Sequence, residues 1–163
     1  MNIQIVPAPV RKSIVVKAAP ERAFAVFTAG MGRWWKKEHH LGKSPLTDVV
    51  LEPREGGRWY EVNEDESTCE WGKVLAWEPP RRVLLAWQID ADWQYDPSFV
   101  TELEIRFTPD GNRTRVDLEH RNLDRYGDKA ESIRAMLDSS DGWDLGMAAY
   151  AAAVLGAVQP REI

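Results

Sequence analysis

At 163 residues, with 44% hydrophobic and 29% charged side chains, the chain has the size and composition of one folded domain, not of a disordered segment. A net charge of −5 with scattered Arg and Lys excludes a phosphate-backbone footprint, so no nucleic-acid partner is expected. No apolar stretch is long enough to span a bilayer, Met1 to Val10 lacks a signal-peptide pattern, and Cys69 stands alone. We therefore expect no membrane partner, no internal disulfide and a reducing, cytoplasmic setting.

The Val/Ile-rich run from Arg11 to Lys17 predicts a first strand. Pro20 suits the first position of a helix and Glu21 its positive end, which predicts a short helix to about Phe27 with Phe24 and Phe27 on one face. A second short helix is expected over Met31 to Lys37, carrying Trp34 and Trp35, followed by a loop to Ser44. Strands then follow in series. Asp48 to Pro53 precedes the turn Glu55-Gly56-Gly57, and Arg58 to Val62 follows it. In the next strand, Glu70 to Trp77, alternation groups Trp71, Lys73, Leu75 and Trp77 on one face. Val83, Leu85, Trp87 and Ile89 share a face, as do Phe99, Thr101, Leu103, Ile105 and Phe107. Pro109-Asp110-Gly111-Asn112 is a hairpin signal, after which Thr114, Val116, Leu118 and His120 point inward. This period-two pattern predicts an antiparallel sheet with one buried face.

The chain ends in helical pattern. Asp128 with Glu131 has the spacing of a capping box, predicting a helix through Leu137. Trp143, Met147, Tyr150, Val154 and Val158 then recur at helical spacing among alanines, from Asp141 to Val158. Strands in series with helices at both ends define an α+β fold, its helices on one face of the sheet. The whole chain, 1–163, is read as one domain with its core at about 10–157.

Taken in order, these pieces resemble a known family. Ile14 to Phe27, Trp34-Trp35, Glu55-Gly56-Gly57-Arg58-Trp59, Trp71-Gly72-Lys73-Val74, Trp77-Glu78-Pro79-Pro80, Leu84 to Trp87, Thr114-Arg115-Val116 with His120, and Gly142-Trp143 carry the likeness. It is to the helix-grip, START-like superfamily called SRPBCC, and within it to proteins similar to the activator of heat shock protein 90 ATPase. The resemblance implies a curved antiparallel sheet wrapped around a long C-terminal helix, with two short helices after the first strand. It also implies an apolar ligand held between sheet and helix. Members include cyclases, hydrolases and lipid carriers, and eukaryotic relatives act as co-chaperones. A small apolar or aromatic molecule is thus the expected partner. A chaperone ATPase, or a second copy of the chain meeting through exposed aromatics, are the alternatives.

Candidate site residues follow from facing. His120 ends an inward row and offers an imidazole for acid–base or ligand contact; a core histidine satisfied by one backbone partner is the competing reading. Trp34, Trp35, Trp71, Trp87 and Trp143 would make an aromatic-lined pocket with a few N–H donors, against ordinary core packing. Met147 and Tyr150 continue the stripe of Trp143. Register decides whether Tyr60 or its neighbours point inward; Tyr60 is taken inward, with Arg58 near the strand end. Glu38-His39-His40 lacks metal-site spacing and reads as a solvated loop or a mouth-lining element. No nucleophile motif and no phosphate-cradling loop occurs, so neither a catalytic set nor a cofactor or metal is implied. Cys69, flanked by carboxylates, is a poor thiolate.

Overall fold

The computed structural model describes residues 7–156; the expected continuation of the terminal stripe to Val158 lies outside them. Seven antiparallel strands form one curled sheet in the order β1-β7-β6-β5-β4-β3-β2. They are β1 (Val10–Val16), β2 (Leu46–Leu51), β3 (Arg58–Asn63), β4 (Thr68–Glu78), β5 (Arg82–Trp87), β6 (Thr101–Asp110) and β7 (Arg113–Arg121). Helices α1 (Pro20–Thr28) and α2 (Met31–Trp34) follow β1; α3 (Ala130–Asp138) and α4 (Trp143–Val154) follow β7 after a 3-10 turn at Leu123–Lys129. The expected order of elements is the order found.

The inner faces of β5, β6 and β7 follow the period-two reading. Val83, Leu85, Leu103, Ile105, Thr114, Val116 and His120 have no measurable exposure. Their register pairs Leu103 with His120 and Ile105 with Leu118, so the buried rows lie side by side across the strands. On the outer face Glu104 lies among Arg82, Arg106 and Arg121, which supply its counter-charges.

β4 departs from simple alternation. Trp71 and Val74 are buried while Lys73 is exposed, so the expected face of Trp71, Lys73, Leu75 and Trp77 does not form. Two irregularities cause this: the register slips between Trp59 and Tyr60 opposite Trp71, and again between Val74 and Ala76. Each bulge inserts a residue, re-aims the side chains beyond it and increases the local twist. Gly72 permits the first. A Cβ there would sit 1.7 Å from the Ala86 carbonyl oxygen and 3.4 Å from the Trp59 ring.

α1 packs Phe24 and Phe27 onto the sheet, with ring centroids 5.1 and 6.0 Å from Phe107. α2 is shorter than expected: it ends at Trp34, and Trp35 is already extended. The Trp34 indole donates to the Val26 carbonyl at 3.0 Å, which folds α2 back on α1. Neither α3 nor α4 carries a side-chain cap, so the Asp128–Glu131 capping box does not form. The chain instead kinks at Gly127, whose φ of 65° suits a residue without Cβ. α4 is anchored by side chains at both ends. Lys12 of β1 pairs with Asp138 and Asp144 at 2.8 and 2.9 Å, and Arg22 donates to the Val154 carbonyl, a favourable cation at a helix C-terminus. In the middle, the Tyr150 hydroxyl donates to the Ala23 carbonyl at 2.7 Å.

Candidate functional site

One end of the fold holds an open cavity of about 400 Å³. Its walls are aromatic. Trp71 comes from β4, Trp87 from the end of β5, Trp34 and Trp35 from the α2 end, and Trp143 from the start of α4. These five are the expected tryptophans, and the structure brings them together. Trp35 centres the cluster, with ring centroids 4.9 Å from Trp71, 5.8 Å from Trp143 and 5.7 Å from Trp34. Trp87 and Trp143 stand 6.0 Å apart. The tilted and edge-on angles are those that the ring quadrupole favours.

The expectation of free indole donors is not met. Trp35 donates to the His39 carbonyl at 2.8 Å, Trp71 to Glu61 Oε1 at 2.7 Å and Trp143 to His120 Nδ1 at 3.2 Å. With Trp34 bound to Val26, Trp87 alone of these five has an N–H with no well-formed partner among the described residues, and that N–H is fully buried. The cavity is therefore offered mainly ring faces and edges, with most of the indole donors already used inside the protein.

His120 lines no part of this space. It is fully buried behind Trp87 and Trp143, and its ring is 5.0 Å from that of Trp87. Because Trp143 donates to Nδ1, the proton sits on Nε2, which lies 2.9 Å from Thr101 Oγ1; Thr101 in turn donates to the Trp87 carbonyl. Both ring nitrogens are satisfied. Burial pushes the imidazole down to about 3, so the ring stays neutral. His120 is the core histidine of the competing reading, its partners side chains instead of backbone. Met147 and Tyr150 are likewise core: both are buried, and Tyr150 packs edge-on against Phe27 and Trp34.

Tyr60 is corrected. The buried residues of β3 are Trp59, Glu61 and Asn63; Tyr60 faces out beneath the Arg58 guanidinium, 4.0 Å from its ring centroid. Arg58 also pairs with Glu70, so neither residue belongs to the cavity. The anchor is Trp59, too large to leave in water, whose inward position forces its neighbours outward.

Glu61 is the residue that sequence reasoning missed. Its carboxylate has no exposure, yet it accepts four hydrogen bonds: Leu41 N–H and Trp71 Nε1–H on Oε1, Gly42 N–H and Asn63 Nδ2–H on Oε2, all at 2.7 to 2.8 Å. Burial disfavours the charge, but the bonds from Leu41, Asn63, Gly42 and Trp71 outweigh it and hold the carboxyl below its ordinary value. The alternation that buries Trp59 also buries Glu61, and that was the available signal. Glu61 clamps the loop 38–42 over the cavity, making Glu38, His39, His40 and Leu41 part of its rim. Trp93, in the connection after β5, and Met136 and Leu137 of α3 close the other side. Among the described residues no group of three or more His, Cys, Asp or Glu converges on a metal-sized point. The Cys69 thiol is pushed up by burial and by the carboxylates of Glu61, Asp65 and Glu70, as its flanking residues predict.

A curled sheet gripping a terminal helix, open at one aromatic-lined end, is the helix-grip architecture. The chain belongs to the Activator of Hsp90 ATPase homolog 1-like family, whose model matches residues 17–149. Among solved structures it is similar to Txn09, an anthrahydroquino-γ-pyrone synthase complexed with SUM. The two are 40% identical over 91% of this chain and 97% of that one, with a TM-score of 0.64. It is also similar to CalC, a self-sacrificing resistance protein from Micromonospora echinospora, at 27% identity over 95% and 98% of the two chains and a TM-score of 0.64. The Aha1 dimer from Colwellia psychrerythraea shares the fold at 17% identity, over 91% and 96% of the chains, with a TM-score of 0.60. No curated protein matches the chain. Among the described residues no helix is long and apolar enough to cross a membrane.

Proposed function

We propose that the protein binds a planar, polycyclic aromatic molecule of polyketide type in the tryptophan-lined cavity. The carrying observation is the lining itself: six tryptophans border a space of about 400 Å³, and the indole donors that could have read a polar ligand are largely spent inside the protein. Indole faces and edges bordering the space suit flat aromatic guests, and the volume accommodates about three or four fused rings. The exposed rim of Lys36, Glu38, His39 and Asp141 suits a guest with hydroxyl or carbonyl groups at one end. The name of the 40%-identical synthase supports the same guest class and adds ring-closing chemistry on that guest as a second reading. The co-chaperone reading rests on relatives alone and the homodimer reading on exposed aromatics and a dimeric relative, and nothing in the site favours either.

The test is titration with 2-hydroxyanthraquinone, followed by tryptophan fluorescence and thermal unfolding. Quenching should saturate, and at a hundredfold excess over Kd the ligand should add about 2.7 kcal/mol of stability, a rise in Tm of about 5 °C or more. No quenching and no rise, with this or with larger fused-ring quinones, would refute the reading.

A further inference from the structure

We propose that His40 is the proton acceptor of the cavity, with Glu61 as its positioning residue. This rests on the aromatic-ligand reading above and gives that site a chemical role.

The main chain around His40 is pinned on both sides. Trp35 holds the His39 carbonyl at 2.8 Å, and the two carboxylate oxygens of Glu61 hold Leu41 N–H and Gly42 N–H at 2.7 and 2.8 Å. The imidazole between these clamps is one-fifth exposed and borders the cavity. Its Nδ1 is buried and has no formed hydrogen bond, and Glu61 Oε2 lies 3.6 Å from it. A buried carboxylate that close favours the proton on Nδ1 and orients the ring. The lone pair of Nε2, which bonds no protein atom among the described residues, is then free for a ligand.

Alternatives within the site are weaker. His120 has both nitrogens occupied and its ring held neutral, and His39 lies exposed on the rim. The other charged groups bordering the space, Lys36, Glu38 and Asp141, are exposed. The step is a simple transfer. A phenolic O–H of the guest breaks, its proton moves to His40 Nε2, and the products are a bound phenolate and an imidazolium beside the Glu61 carboxylate. The charges balance, and no other reactant is needed.

The experiment uses the full chain with ¹⁵N-labelled histidine and 2-hydroxyanthraquinone, about one pH unit below half-ionisation of the free dye in the same buffer. Before dye is added, the neutral form of His40 should carry its proton on Nδ1; an Nε2–H tautomer overturns the positioning role of Glu61, and a His40 already doubly protonated in the free protein at this pH overturns its role as acceptor. At saturation His40 should show two protonated nitrogens while His39 and His120 keep their signals. The visible phenolate fraction of bound dye should be at least about fivefold that of free dye. With His40→Gln, measured at its own saturation of quenching, the phenolate fraction should return to the free-dye value. Bound dye that stays neutral in the wild type, or a phenolate band that persists in the variant, overturns the proposal. Absence of quenching is a different failure. It removes the ligand reading, and this inference with it.

Discussion

The neutrality of His120 makes stability depend on pH in a calculable way. In the fold its imidazole is pushed from the ordinary 6.5 to about 3 by burial. Below pH 6.5 the unfolded chain therefore binds a proton that the folded chain refuses. The stabilisation is complete above 6.5 and is lost progressively as pH falls towards 3. Each unit in that window costs about 1.4 kcal/mol, so moving from pH 7.5 to pH 5 should remove about 2 kcal/mol through this one residue. The comparison is His120→Gln, whose amide can still accept from Trp143 and donate towards Thr101 but cannot be charged. Urea unfolding of both proteins at pH 7.5 and pH 5 gives the double difference, in which titration of other groups cancels. The wild type should lose about 2 kcal/mol more than the variant. Equal losses in the two proteins would refute the account of a buried neutral imidazole.

Three further outcomes follow from the packing. Gly72→Ala places a Cβ 1.7 Å from the Ala86 carbonyl, so backbone must move; we expect about 3 kcal/mol of destabilisation, read from the urea midpoint. Glu61→Gln replaces one accepting oxygen with an NH2 donor that faces donors already in place, and loss of about 3 kcal/mol should accompany faster tryptic cleavage after Lys36, Lys37 or Lys43 as the loop 38–42 is released. Tyr60→Ala, outside the cavity under Arg58, should cost less than about 1 kcal/mol and leave dye binding at the wild-type affinity.

Where strands keep strict alternation, sequence was a sufficient guide. The inward rows of β5 to β7 and the helical stripe of Trp143, Met147 and Tyr150 are buried as their periods require. Alternation fails where the sheet bends. The bulges opposite Trp71 and after Val74 depend on cross-strand register, which no single strand's pattern contains. The Tyr60 error has a nearer cause: Trp59 outweighs its neighbours in apolar area, and weighing that first would have put Glu61 inward. That five tryptophans face one end of the fold could be read from the strand faces, the short helices and the terminal stripe. That their indole nitrogens are spent, and that His120 sits behind the wall, was not, because both depend on partners far apart in sequence: Trp71 with Glu61, and Trp143 with His120.

The central claim is occupancy of the aromatic cavity, and the eight indole N–H signals of the ¹⁵N-labelled protein report on it residue by residue. Titration with 2-hydroxyanthraquinone should shift the signals of Trp34, Trp35, Trp71, Trp87, Trp93 and Trp143, which line the space. Trp77, packed against Phe24 and not part of the cavity lining, should stay in place. A ligand that moves Trp77 while leaving Trp35 and Trp143 still, or that moves none of the eight, would contradict the account.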